Sequence, residues 1–169
     1  MNKIENERIN IRKGVEADMP ALSQILNDPE VLKFYPMSNS KEVTEALKVW
    51  NYYMRQGSVY AVDIDHKTAG LAVVYVSSYK KLKRQALFAI VVGKKFRGKG
   101  VGTKLMEHII DEAKNVWGIK LLHLEMYEGN PARSLYDRFG FKFYAEHKRF
   151  LKDAEGNYRS KVMMQLELE

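Results

Sequence analysis

Cysteine is absent from the 169-residue sequence, which excludes disulfides, thiolate metal sites and a cysteine nucleophile. Histidine is scarce: His66, His108, His123 and His147 lie apart with no paired ligand spacing, so no metal is expected. No apolar run approaches the ~20 residues of a membrane span, and Met1 to Arg8 has no apolar signal core. The expectation is a cytoplasmic protein with no membrane partner. Internal repeats, linkers and low-complexity stretches are also missing, so residues 1–169 read as a single domain able to bury a substantial core.

What is present is ordinary for a soluble globular chain, with 46% apolar and 29% charged residues. The formal charge of +7 invites a nucleic-acid reading. The densest basic run, Lys80 to Arg84, falls at a hairpin tip with only Tyr79 as an aromatic neighbour. It reads as solvated charge, and no nucleic acid is expected.

Periodicity divides the chain into alternating elements. A strand is predicted over 8–13, then a helix with Asp18 as N-cap and Leu22, Ile25 and Leu26 on one face, ending before Pro29. A loop follows over 31–39, carrying Phe34 and Tyr35, and a helix over 41–56 that Gly57 closes. Segments 58–64, 68–77 and 84–92 suit an antiparallel meander. Val101, Leu105, Ile109, Ala113 and Val116 share a face of a central helix. A strand over 119–127, a short helix between Asn130-Pro131 and Gly140, and strands over 141–150 and 158–168 complete the order. It describes an α/β fold, an α/β/α sandwich with a mixed sheet of about seven strands flanked by about four helices.

The stretch Val-Val-Gly-Lys-Lys-Phe-Arg-Gly-Lys-Gly-Val-Gly-Thr, Val91 to Thr103, joins a buried strand to the central helix. Glycines there allow positive φ and close backbone approach, and the amides of a first helical turn attract anions. Lys94, Lys95, Arg97, Lys99 and Lys104 add charge. Gly93 to Lys99 fills seven positions of a P-loop, but Gly100 stands where a hydroxyl should bind magnesium, so an NTPase is disfavoured. A dinucleotide fingerprint fails as well, because Thr103 replaces its third glycine.

Arg97-Gly98-Lys99-Gly100-Val101-Gly102 does fill every fixed position of Q/R-x-x-G-x-G/A. That motif resembles the pyrophosphate loop of the GNAT superfamily of acetyl-CoA-dependent N-acetyltransferases. A second segment, Asn130-Pro131-Ala132-Arg133-Ser134-Leu135-Tyr136 through Gly140-Phe141, is similar to that family's other signature, and the element order is also the family's. The resemblance implies that Ile90, Val91, Val92, Arg97, Gly98, Lys99, Gly100, Val101, Gly102, Thr103, Asn130, Arg133 and Tyr136 contact acetyl-CoA. It also implies Tyr136 as general acid toward the departing thiolate, a phenol being protonated at neutral pH. Strand backbone at 90–92 would supply donors to the developing oxyanion.

Many GNAT relatives carry a glutamate base on the strand before the loop, near Leu87, but no carboxylate occurs between Arg84 and Val92. Glu125, within Leu124-Glu125-Met126-Tyr127, resembles the catalytic glutamate of ribosomal-protein N-terminal acetyltransferases and is the candidate base, with a water chain as the alternative. The acceptor implied is a primary amine of a small molecule, an amino acid or a protein N-terminus, and a homodimer is common in the family. A non-catalytic CoA-binding module would tolerate loss of Tyr136, whose presence favours an enzyme.

Overall fold

A computed structural model describes residues 8–169. Strand β1 (Ile9–Lys13) is followed by a single 3₁₀ turn, Glu16–Asp18, and helix α1 (Met19–Leu26). Asp18 stands at the N-cap of α1 yet makes no side-chain cap there, a correction to the sequence reading. Its buried carboxylate instead accepts from both terminal nitrogens of Arg12, from the Val15 N–H and from the Thr68 hydroxyl. It ties β1, the first turn and the sheet together.

A four-residue helix α2 (Pro29–Leu32) replaces part of the expected loop. Pro29 reads as a stop signal, but proline is equally suited to the first helical position. Here Asp28 caps it, accepting from the Glu30 N–H at 2.9 Å. Helix α3 (Ser40–Arg55) starts on Asn39, which accepts from the Glu42 N–H, and buries Val43, Trp50 and Met54. Gly57, at φ +77°, turns the chain into the sheet.

Strands β2 (Val59–Ile64), β3 (Lys67–Tyr75) and β4 (Gln85–Val92) form the antiparallel meander. Helix α4 (Val101–Asn115) crosses to β5 (Leu121–Tyr127), parallel to β4, and α5 (Arg133–Arg138) leads to the antiparallel pair β6 (Lys142–Lys152) and β7 (Tyr158–Glu167). One seven-stranded sheet results, in the order β1, β2, β3, β4, β5, β7, β6. Among the described residues five α-helices flank it, one more than expected because of α2.

The sheet separates two cores. Leu105, Ile109 and Ala113 of α4 pack with Leu122, Leu124, Phe88 and Phe141 on one face, while α1, α2 and α3 cover Val59, Leu71, Val73 and Val91 on the other. Val116, predicted to continue the α4 stripe, is 60% exposed. The helix ends at Asn115, so its period does not extend that far.

Candidate active site

The middle of the sheet is paired over only three positions: Gln85, Ala86 and Leu87 face Leu121, Leu122 and His123. Beyond them β4 stays with β3 and β5 with β7. A gap therefore opens between β4 and β5.

Strand alternation decides which groups face it. The Gly93 N–H bonds the Ala69 carbonyl on the β3 side at 2.8 Å, so Val91 and Ala89 also face β3, and the backbone of Phe88, Ile90 and Val92 turns toward the gap. Val91, predicted as a ligand contact, is instead a core side chain, 3% exposed, with its backbone directed at β3. The Ile90 carbonyl accepts from the Tyr35 hydroxyl at 2.8 Å and the Val92 carbonyl from Arg97 Nε at 3.2 Å. Their N–H groups have no facing strand among the described residues.

Past the gap, Gly98 and Gly100 adopt φ of +72° and +80°, which a side chain would resist. Val101, Gly102 and Thr103 form the first turn of α4 ahead of the first helical bond, from the Lys104 N–H to the Gly100 carbonyl, and no acidic residue lies in that turn. These amides are oriented for an anion. Val101 offers only its backbone, its side chain being 1% exposed in the core. Gly102 also has a packing role: a Cβ there would lie 3.3 Å from Leu135 Cδ2, so its absence lets α4 pack closely against α5.

The loop's cations are partly engaged. Glu30 on α2 holds Lys94 at 3.1 Å and Arg97 at 3.2 Å, with Asp28 at 3.9 Å from Arg97. Lys104 pairs with Glu107. Lys95 and Lys99 are exposed. The pairing of Arg97 with α2 was invisible in the sequence because α2 itself was.

Tyr136 lies on α5 with its ring 6.0 Å from both Phe88 and Phe141, and only 8% exposed. No hydrogen bond from another described residue satisfies its hydroxyl, and burial pushes its pKa up to about 12. Asn130 shapes the approach to α5, its side-chain carbonyl accepting from the Ala132 N–H at 2.9 Å. A small cavity of about 70 Å³ lies beside Asn130 and Arg133, lined also by Met126, Tyr127 and Val162. Among the described residues no cluster of His, Asp or Glu could hold a metal ion, and no helix is long and apolar enough to cross a membrane.

Residues 20–141 match the model of the acetyltransferase (GNAT) family. The chain belongs to that family. It is 27% identical over 140 residues to the spermine/spermidine N(1)-acetyltransferase of Bacillus subtilis strain 168, covering 82% of this chain and 90% of the relative. It is 29% identical over 116 residues to the [ribosomal protein bS18]-alanine N-acetyltransferase of Salmonella typhimurium strain LT2, covering 66% and 75%. In fold it is similar to a Salmonella typhimurium acetyltransferase solved with acetyl-CoA, at a TM-score of 0.83 and 22% identity, over 95% and 94% of the two chains.

In this GNAT chain Glu125 projects from β5 to the α1–α3 side of the sheet, since its neighbours Leu124 and Met126 fill the opposite core. Its side chain is 41% exposed and pairs with Lys161 at 3.3 Å. The resemblance implies that the 31–39 loop helps wall the acceptor pocket but gives Tyr35 no role of its own; the aromatic pair Phe34-Tyr35 ahead of Pro36, among the apolar Val31, Leu32 and Met37, is the available signal. Burial holds its hydroxyl well above the usual phenol range, with Tyr136 and Tyr75 as contributing neighbours. Two tyrosines thus approach the gap, one from each side.

Proposed function

We propose that this acyltransferase moves the acetyl group of acetyl-CoA directly to a primary amine, with the thioester in the gap between β4 and β5 beside Tyr136. The observation that carries the reading is the coincidence of strand amides and a buried phenol that have no partner among the described residues with an open helix N-terminus. The single-domain reading of the chain is part of the proposal, supported by one sheet that runs through the described residues from β1 to β7.

Acetyl-CoA supplies a thioester, an acyl group already activated toward amines. The amides at Gly98 to Thr103, with Lys95 and Lys99, hold its phosphates. The Ile90 N–H donates to the carbonyl oxygen as negative charge develops there. The Tyr35 hydroxyl holds the neighbouring peptide carbonyl, which fixes the plane of that donor strand. Tyr136 donates its proton toward sulfur. A thiol reference near 8.5 lies about 3.5 units below a phenol at about 12, a full transfer uphill by roughly 5 kcal/mol in that comparison. The same apolar gap disfavours a naked thiolate too, which narrows the difference. Glu125, on the open face beside the gap, receives the ammonium proton directly or through water.

Relatives acting on polyamines and on a protein N-terminus support an amine acceptor. A homodimer is part of the proposal, supported by β6, an edge strand with Phe143 and Tyr144 exposed. Light scattering at twice the monomer mass is the expected result.

The deciding experiment is thiol release from acetyl-CoA across amino acids, polyamines, aminoglycosides and N-terminal peptides. A chain without cysteine adds no thiol background. Amine-dependent release slowed by Tyr136→Phe supports transfer; acetyl-CoA binding with no release on any amine overturns it.

A further inference from the structure

On β7, one strand beyond the β5 edge of the gap, the structure holds a primary ammonium that belongs to the protein itself. Lys161 faces Tyr127 across the β5–β7 ladder, two positions along from the Glu125 partner Met163, so Lys161 and Glu125 are diagonal neighbours on one face. Its Nζ lies 3.3 Å from Glu125 Oε1 and 4.1 Å from the centre of the Phe150 ring, and its side chain is only 15% exposed. Phe150 reaches that position because β6 bulges between His147 and Leu151, with Arg149 at φ +54°. The ring is further held by Tyr127 at 6.3 Å and His147 at 5.0 Å.

A carboxylate on one side and an aromatic face on another make a cation site. A di- or polyamine presenting one nitrogen to the gap would offer its next ammonium to such a site. Here the tethered ammonium of Lys161 competes at an effective concentration on the order of millimolar or higher. A diffusing amine of similar intrinsic affinity is therefore excluded at lower concentrations.

We propose that Lys161 is a specificity-determining residue that occupies the ammonium subsite formed by Glu125 and Phe150 and restricts the acceptor to amines without a second nearby cation. The inference rests on the acceptor approaching over the Glu125 face.

The test compares spermidine with butylamine in the wild type, Lys161→Met and Lys161→Arg. Methionine keeps the apolar stem on Phe150 and removes the charge. Lys161→Met is expected to lower the spermidine KM about tenfold, with the KM values for butylamine and acetyl-CoA within about threefold of wild type; Lys161→Arg should keep the exclusion. Calorimetry of spermidine on the same proteins reads the subsite without turnover and should show tighter binding only to Lys161→Met. Wild-type preference for spermidine over butylamine, or unchanged spermidine binding in Lys161→Met, overturns the proposal. Absence of thiol release with every amine would instead count against acetyl transfer, while the calorimetric comparison still decides the subsite.

Discussion

Tyr136 and Asp18 are two buried polar groups with opposite designs. Tyr136 keeps a hydroxyl without a partner among the described residues, so Tyr136→Phe should remove a donor and little packing: kcat should fall about 100-fold, the acetyl-CoA KM should hold within a few-fold, and urea unfolding should be nearly unchanged. Because burial sets the phenol at about 12, Tyr136 stays protonated up to about pH 11, and kcat should show no basic limb from it below pH 10. A limb there that Tyr136→Phe abolishes would contradict this. Asp18 is fully engaged: burial pushes its pKa up, but the Arg12 bonds outweigh that and hold it below the usual carboxylate range. Its contribution is present above pH ~4 and is lost as pH falls through the folded value. Asp18→Ala leaves Arg12 on Asp63 alone and removes the acceptor of the Val15 N–H and the Thr68 hydroxyl, so it should cost about 2 kcal/mol by urea denaturation, whereas a change within about 0.5 kcal/mol would show the network to be dispensable.

At the scale of elements, the long periodic segments were legible in the sequence and the short ones were not. The face of α4 and the meander followed from spacing because each is long enough for several periods. Helix α2 has one turn, and its cap and proline are local signals that also mark loops. Missing it hid Glu30, whose pairing with Lys94 and Arg97 depends on where α2 lands. The glycine loop was legible as an anion site, yet motif spacing could not tell that Gly102 also serves packing, or that Val91 faces away from the gap. Two substitutions probe these elements. Glu30→Gln frees the loop's cations, so the acetyl-CoA KM should fall roughly two- to threefold at low salt, with the difference vanishing near ~0.5 M salt, where charges are screened within ~4 Å. Gly70→Ala would place a Cβ 2.6 Å from the Val91 carbonyl, pushing β3 from β4; a loss of about 2 kcal/mol in stability and a raised acetyl-CoA KM are expected.

For the whole molecule, buried phenols set the alkaline limit. Tyr35, Tyr60, Tyr75 and Tyr136 all have pKa values raised by burial, to about 12 for Tyr75 and Tyr136. Since an unfolded tyrosine ionises near 10, the folded form binds more protons above that pH. The stabilisation is complete below pH ~10 and declines as pH rises through about 12, so the melting temperature should drop steeply over that interval. A flat profile there would place these hydroxyls in water. The three-position seam between β4 and β5 has a mechanical consequence. It makes the molecule two stiff half-sheets, β1 to β4 and β5 to β7, sharing a short hinge and the brace of α4. Hydrogen exchange should resolve them as separate cooperative blocks in the free protein. A ligand lying along the open part of the seam acts as a missing strand: at 100 times its Kd it adds about 2.7 kcal/mol, and the two blocks should then open as one.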